Sequence, residues 1–170
     1  MTNCPCNSTQ AYLNCCAPLH LGKELAQSPD QLMRSRYCAF VMSNISYLVA
    51  THSPLTRDSI SEESIRAWNE QCNWKGLHLV TTPSDTKLNR VEFVAWYTQA
   101  NQLEYHHELS QFSYEEIEPL LAQGLSLPNN TEKAWYYHSA SYPQSKVKSP
   151  ARNDLCICHS GKKYKKCCGG

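Results

Sequence analysis

One four-cysteine spacing occurs twice in this chain, once at each end: Cys4, Cys6, Cys15 and Cys16, then Cys156, Cys158, Cys167 and Cys168. Each copy reads Cys-x-Cys, eight residues, Cys-Cys, and together they take eight of the ten cysteines, leaving Cys38 and Cys72 as ordinary ones. A short loop that returns two thiol pairs to one point meets the needs of a tetrahedral Zn²⁺ with Zn–S bonds of about 2.3 Å, and a closed set of four marks a structural site. The spacing therefore predicts two zinc ions, one per knuckle. In the second copy Ser160-Gly161 supplies the turn after Cys158, glycine being free to take positive φ. Asn7-Ser8-Thr9 stands there in the first copy, a less apt turn with all four ligand positions intact. A disulfide framework fits less well, because adjacent cysteines make strained partners and residues 1–6 have neither the basic nor the apolar region of a secretory signal. A four-cysteine iron–sulfur cluster is the other alternative, although this compact spacing is not among the usual ones. Thiol-rich short patterns without an export signal point to metal in a reducing cytoplasm.

Charge is distributed unevenly. The formal net charge is +1, yet residues 146–170 carry seven Lys or Arg against one Asp. The rest of the chain is mildly acidic. Part of the excess compensates the formal −2 of a zinc tetrathiolate. The remainder, on Lys162, Lys163, Lys165 and Lys166 around Tyr164, offers a surface for acidic protein or for RNA. No run of eighteen apolar residues exists, so no membrane-spanning helix is expected.

Between the knuckles the apolar period changes once. Ser28 with Pro29 and Gln31 predicts a helix start, and Met33, Tyr37, Phe40 and Val41 form its apolar face with Arg34 and Ser35 off it. A second helix is expected from Asn44 to a stop before Pro54, with Ile45, Leu48 and Val49 inward. A third is expected over residues 59–71, with Ile65, Trp68 and Cys72 on its apolar side. Strands follow at about 74–82, 91–99 and 103–112, the first closed by a Pro83-Ser84-Asp85 turn. Next come a helical insert at 114–122 ended by Gly124, a last strand at 134–139, and an extended, mobile linker over 141–153. Helices first and an antiparallel meander after predict an α+β fold with helices on one face of a curved sheet. The expected pieces are a knuckle at 1–24, the α+β domain at 25–145, and a basic linker with the second knuckle at 146–170.

Residues 152–168 resemble the SEC-C motif, the zinc knuckle at the C-terminus of the SecA preprotein translocase. Leu155 and Ile157 stand where prolines are usual, His159 replaces a glycine, and Cys168 takes the place of a histidine. The middle of the chain is similar to the cone-shaped fold of nuclear transport factor two. Residues 32–40, 47–52 and 91–95, and His107-Glu108 before Phe112, resemble the YchJ family, which joins that cone to SEC-C knuckles. The resemblance implies a zinc protein that docks partners, an acidic protein or a ribosome surface, through its knuckles. It carries no established activity.

Cone folds of this kind often enclose a pocket, which leaves a second function class open: a small-molecule enzyme of proton-transfer, hydratase or isomerase type. The candidates for such a pocket are Arg34, Arg36, Tyr37, His52, His106, His107 and Glu108, of which Arg34, Arg36, Tyr37, His52 and His107 are preferred. Strand alternation puts Glu108 with His106 and Ser110 on one face, and His107 with Tyr105 and Leu109 on the other. An adjacent His107–Glu108 pair therefore cannot share one pocket. A deep apolar cavity with convergent polar groups would favour the enzyme class over the docking class.

Overall fold

The computed structural model describes residues 3–80, 88–123, 131–144 and 146–170. Helix α1 (Ala17–His20) follows the first knuckle, and α2 (Pro29–Val41), α3 (Ile45–Ala50) and α4 (Glu62–Gln71) follow it. The sheet comes next: β1 (Asn73–Leu79), β2 (Arg90–Gln99), β3 (Gln102–Glu116) and, after the single turn α5 (Pro119–Ala122), β4 (Lys133–Ser141). The strands pair in sequence order, all antiparallel, as the meander predicts. The fold is α+β, with helices against one face of a four-stranded sheet.

Local chemistry sets the helix starts. The Ser28 hydroxyl accepts from Gln31 N at 3.2 Å, Pro29 occupies the first turn, and Gln31 Oε1 reaches back to Gln27 N at 2.6 Å, one residue earlier than a capping box would. Asn44 caps α3 and Ser61 caps α4 in the same way, so the third helix begins at Glu62 rather than near Ser59. α2 is buried all round. Leu32, Met33 and Tyr37 join Leu77, Val91, Phe93, Ala95 and Phe112 in the main core, while Ser35 and Cys38, on the flank expected to be exposed, are fully buried as well. The N-terminal knuckle covers that flank: Arg34 donates to Cys6 O at 2.9 Å, and His20 donates through Nε2 to Ser35 O at 2.9 Å.

β3 runs four residues beyond the expected end. Glu115 holds it there, accepting both from Ser53 and from Ser113, and Glu116 pairs with Lys133 of β4. The helical insert therefore shrinks to α5. The Pro83-Ser84-Asp85 turn and Gly124 lie outside the described residues.

The far side of the sheet is covered too. Val94 and Trp96 are buried, and together with His78 they line a recess with Val147, Lys148, Pro150 and Ile157. The segment expected to be a mobile linker is extended but packed on β1 and β2. Gly76, at the β1 irregularity, is where the C-terminal knuckle lands: a Cβ there would collide with the carbonyl of Ile157 and lie 2.7 Å from its carbon.

Candidate metal centres and the cone cavity

Each terminal cysteine set gathers its four Sγ atoms within 4.8 Å of one another. Cys6 and Cys15 Sγ are 3.5 Å apart, Cys15 and Cys16 3.9 Å, Cys156 and Cys158 3.4 Å, and Cys158 and Cys167 3.5 Å. Thiolates bound to one Zn²⁺ stand about 3.8 Å apart along a tetrahedron edge, so both donor sets fit such an ion. All ten cysteines are free of disulfides. Within the N-terminal set, contact with Cys16 first, then Cys38 and Cys6, holds the Cys4 thiol far below its usual range. Cys16 is pushed up, chiefly by Cys38 and Cys4. Crowded sulfurs divide few protons among themselves, and a cation resolves the same crowding.

The two sets share one backbone, bond for bond. Cys4 N donates to Gln10 O at 2.7 Å and Cys156 N to Lys162 O at 2.8 Å; Cys15 N donates to Tyr12 O and Cys167 N to Tyr164 O. The Ser8 hydroxyl lies 3.1 Å from Cys15 Sγ, and that of Ser160 lies 3.4 Å from Cys167 Sγ. Asn7 and Thr9 take φ of 62° and 67°, matching His159 at 56° and Gly161 at 74°. The poorer turn sequence at the N-terminus thus adopts the same left-handed geometry, at the expense of strain in Thr9. Asn7 is helped by its side chain, which donates to Leu77 O at 2.9 Å and ties the knuckle to β1.

Neither His20 nor His159, the histidines near the two sets in sequence, belongs to a four-sulfur set. His20 accepts through Nδ1 from the Tyr12 hydroxyl while its Nε2–H serves Ser35, and His159 stands outside the four-sulfur set. Cys38, set aside in the sequence as ordinary, packs instead against the N-terminal set, its Sγ 3.9 Å from Cys4 Sγ. Of the basic tail, Lys162, Lys163 and Lys166 are exposed and Lys165 is half-buried. The ring of Tyr164 fills the space where a side chain on Gly169 would go, so it is engaged within the knuckle.

Between α2, α4 and the sheet lies a cavity of about 520 Å³. Its walls are mostly aromatic: Phe40, Trp68, Trp74 and Tyr97 contact one another at ring separations of 5.3–6.3 Å. Arg36, Tyr37 and His52 line it, as do His106 and Glu108. Arg34 does not; it pairs with Asp30 at 3.0 Å and with the first knuckle. His107 does not either, because strand alternation turns it to the opposite face, where Nε2 donates to Glu92 at 2.8 Å.

The less preferred candidates His106 and Glu108 form the polar centre instead. His106 donates through Nε2 to Glu108 Oε2 at 2.7 Å, and Ser110 donates to Oε1 at 2.6 Å. Glu108 is thereby held in the cavity wall with only 7% of its surface exposed, and the bond fixes the His106 tautomer with Nδ1 left as the acceptor. The i, i+2 spacing of His106 and Glu108 on a predicted strand was the available signal. His52 is neutral near pH 7: burial, then the charges of Arg36, Arg57 and His138, bring its pKa down to about 4. Burial likewise pushes the Tyr137 hydroxyl up, Glu108 adding to the effect.

A cone-like α+β domain with an aromatic cavity and a cysteine knuckle packed on its sheet defines a class: nuclear-transport-factor-two-like proteins that carry a SEC-C motif. Comparison with known proteins agrees. The profile of the YchJ middle NTF2-like domain matches residues 28–140, and that of the SEC-C motif matches residues 152–170. A UPF0225 protein of Shewanella sp. strain MR-4 is 39% identical over 98% of this chain and 95% of its own length. Another, of Geobacter sulfurreducens, is 38% identical over 99% of both chains. Among solved structures, a SEC-C motif containing protein from Psychrobacter arcticus is similar at TM-score 0.65 and 31% identity, covering 99% of this chain and 96% of its own. One from Rhodopseudomonas palustris gives 0.67 and 29%, covering 84% and 100%. The chain belongs to the YchJ (UPF0225) family. Among the described residues no helix is long and apolar enough to cross a membrane.

Proposed function

We propose that this protein binds a small planar organic molecule in the cone cavity, where the His106–Glu108 pair is positioned to move a proton, and that two structural zinc ions, one in each terminal knuckle, brace the walls. The supporting observation is the cavity of about 520 Å³, within the usual range for a ligand site, in which the half-buried His106 with its buried Glu108, Arg36 and His52 line one space among aromatic rings. Glu108 orients His106 so that Nδ1 takes a proton from a bound acid and returns it to another atom, and the aromatic walls keep out competing water. The zinc ions take no part in that chemistry, because four thiolates leave no open position. A reducing cytoplasm suits such thiolates. On this reading the knuckles of residues 1–24 and 146–170 pack on the 25–145 domain as parts of one body, both of them SEC-C-like.

The test is calorimetry with three bicyclic probes: naphthalene-2-carboxamide, naphthalene-2-carboxylate and 2-naphthylmethylammonium. Saturable one-to-one binding of at least one is expected, and Ala95→Leu, which part-fills the cavity, should remove it. No saturable binding by any of the three, in protein with an intact melting transition, refutes the reading. The proton-transfer step is tested by following C–H to C–D exchange of 2-tetralone in D₂O, where Glu108→Gln should abolish the protein-dependent increment.

A docking role for the C-terminal knuckle is the second reading, favoured by the exposed lysines 162, 163 and 166. It would engage an acidic protein or a ribosome surface. Replacing those lysines with alanine should weaken capture and flatten its salt dependence; binding at an unchanged salt slope would count against it.

A further inference from the structure

The polar end of the cavity has a cation that makes no ion pair among the described residues. Arg36 is 7% exposed, and its Nη1 donates to Leu48 O and to Thr51 Oγ1, both at 2.7 Å. Its guanidinium lies over the Tyr137 ring, 4.6 Å from the centroid. Both acceptors are neutral, and Arg36 has no ion-pair partner among the described residues. Glu108 is the one carboxylate among the described lining residues. Its two oxygens are taken up by His106 and Ser110. A permanent charge buried without an opposite charge is costly, and proteins seldom keep one for structure alone.

A group without a hydrogen-bond partner belongs to the same wall. His52 is 5% exposed, lines the cavity, and meets the Tyr137 ring in an edge contact at a separation of 5.2 Å. Its Nε2 is buried with no hydrogen-bond partner. Unpaired buried nitrogens are rare because each forfeits its hydration.

We infer that Arg36 and His52 form an anion subsite that receives the carboxylate of an aromatic monocarboxylic acid, whose ring lies against Phe40, Trp68, Trp74 and Tyr97. This rests on the ligand-cavity reading above and names the ligand class. One incoming carboxylate serves both groups at once, pairing with the guanidinium and accepting from the Nε2-protonated tautomer of His52, which the anion would select. A single negative charge is favoured over a phosphate dianion, since the site offers one permanent cation and a neutral imidazole and lies within reach of the Glu108 charge. The aromatic walls exclude a small polar acid, which would leave them bare.

The experiment is the ranking of the same three probes, which share one ring system and differ in head-group charge. The carboxylate should bind about tenfold or more tightly than the amide, the increment of a charge-assisted pair, with the ammonium weakest. Arg36→Met should erase the preference for the carboxylate, and His52→Gln should reduce it. The wild-type ranking decides the matter even where Arg36→Met fails to fold. Equal binding of carboxylate and amide, or a preference for the ammonium, overturns the anion subsite while leaving the cavity reading intact. Failure of all three probes overturns both.

Discussion

Protonation of His52 gives this fold a measurable acid sensitivity. Its ring is shut into the cavity wall beside Arg36, with a pKa brought down to about 4 by burial and by the neighbouring positive charges, against about 6.5 in an unfolded chain. The folded state therefore holds this proton less readily than the unfolded state does. The stability contributed is fully present above pH about 6.5 and drains as pH falls through the window toward 4. Integrating the proton linkage gives a loss of about 2 kcal/mol between pH 7 and pH 5, and about 3 kcal/mol once both states are protonated. Urea unfolding at pH 7 and pH 5, with zinc held saturating, measures it in the wild type and in His52→Gln, which keeps a polar group in place without a titration. The wild type should lose about 2 kcal/mol more than the variant, since acid effects on the carboxylates are common to both. Equal losses would refute the reasoning, and so would an imidazolium signal for His52 at pH 5 by NMR.

Other perturbations probe the rest of the molecule. Cys16→Ser and Cys156→Ser should each lower the zinc content by one ion per chain in elemental analysis, with the untouched set still filled. Thr9→Gly relieves the left-handed strain of a β-branched residue and should stabilise the N-terminal knuckle by about 1 kcal/mol, read as slower zinc loss to a chelator. Gly76→Ala drives a methyl group into the backbone of Ile157. It should cost about 1–3 kcal/mol and raise hydrogen exchange across residues 152–170 well above that of α2.

The parts legible in the sequence were those whose cause is local. The metal sets depend on a twelve-residue spacing, and the helix starts depend on one side chain reaching its own backbone, so Cys4 to Cys16 and Ser28 could be read directly. Strand alternation likewise separated His107 from Glu108 correctly. What the sequence hid was what covers each surface. Ser35 and Cys38 looked solvent-facing because the knuckle that buries them is outside the helix period. Val94 and Trp96 pack under residues more than fifty positions further along the chain. The choice between Arg34 and Arg36 turned on the same point: one helix position faces the knuckle and the other the cavity. Alternation also put His106 and Glu108 on one face of β3, but which face of that strand lines the cavity depends on what packs against it, and no residue in the strand states that.

Both chain ends come to rest on β1, Asn7 bonded to Leu77 O and the Ile157 backbone seated over Gly76. These contacts span 70 residues in one direction and about eighty in the other, separations that make closure late and slow. During synthesis the N-terminal knuckle and α2 emerge together, whereas the outer face of β1 and β2 stays bare until residues 147–161 are available to cover it. Val94 and Trp96 are therefore exposed on every nascent or truncated chain. Damage to the second knuckle accordingly presents a sticky sheet face to whatever is nearby, so residues 147–161 guard the sheet against aggregation.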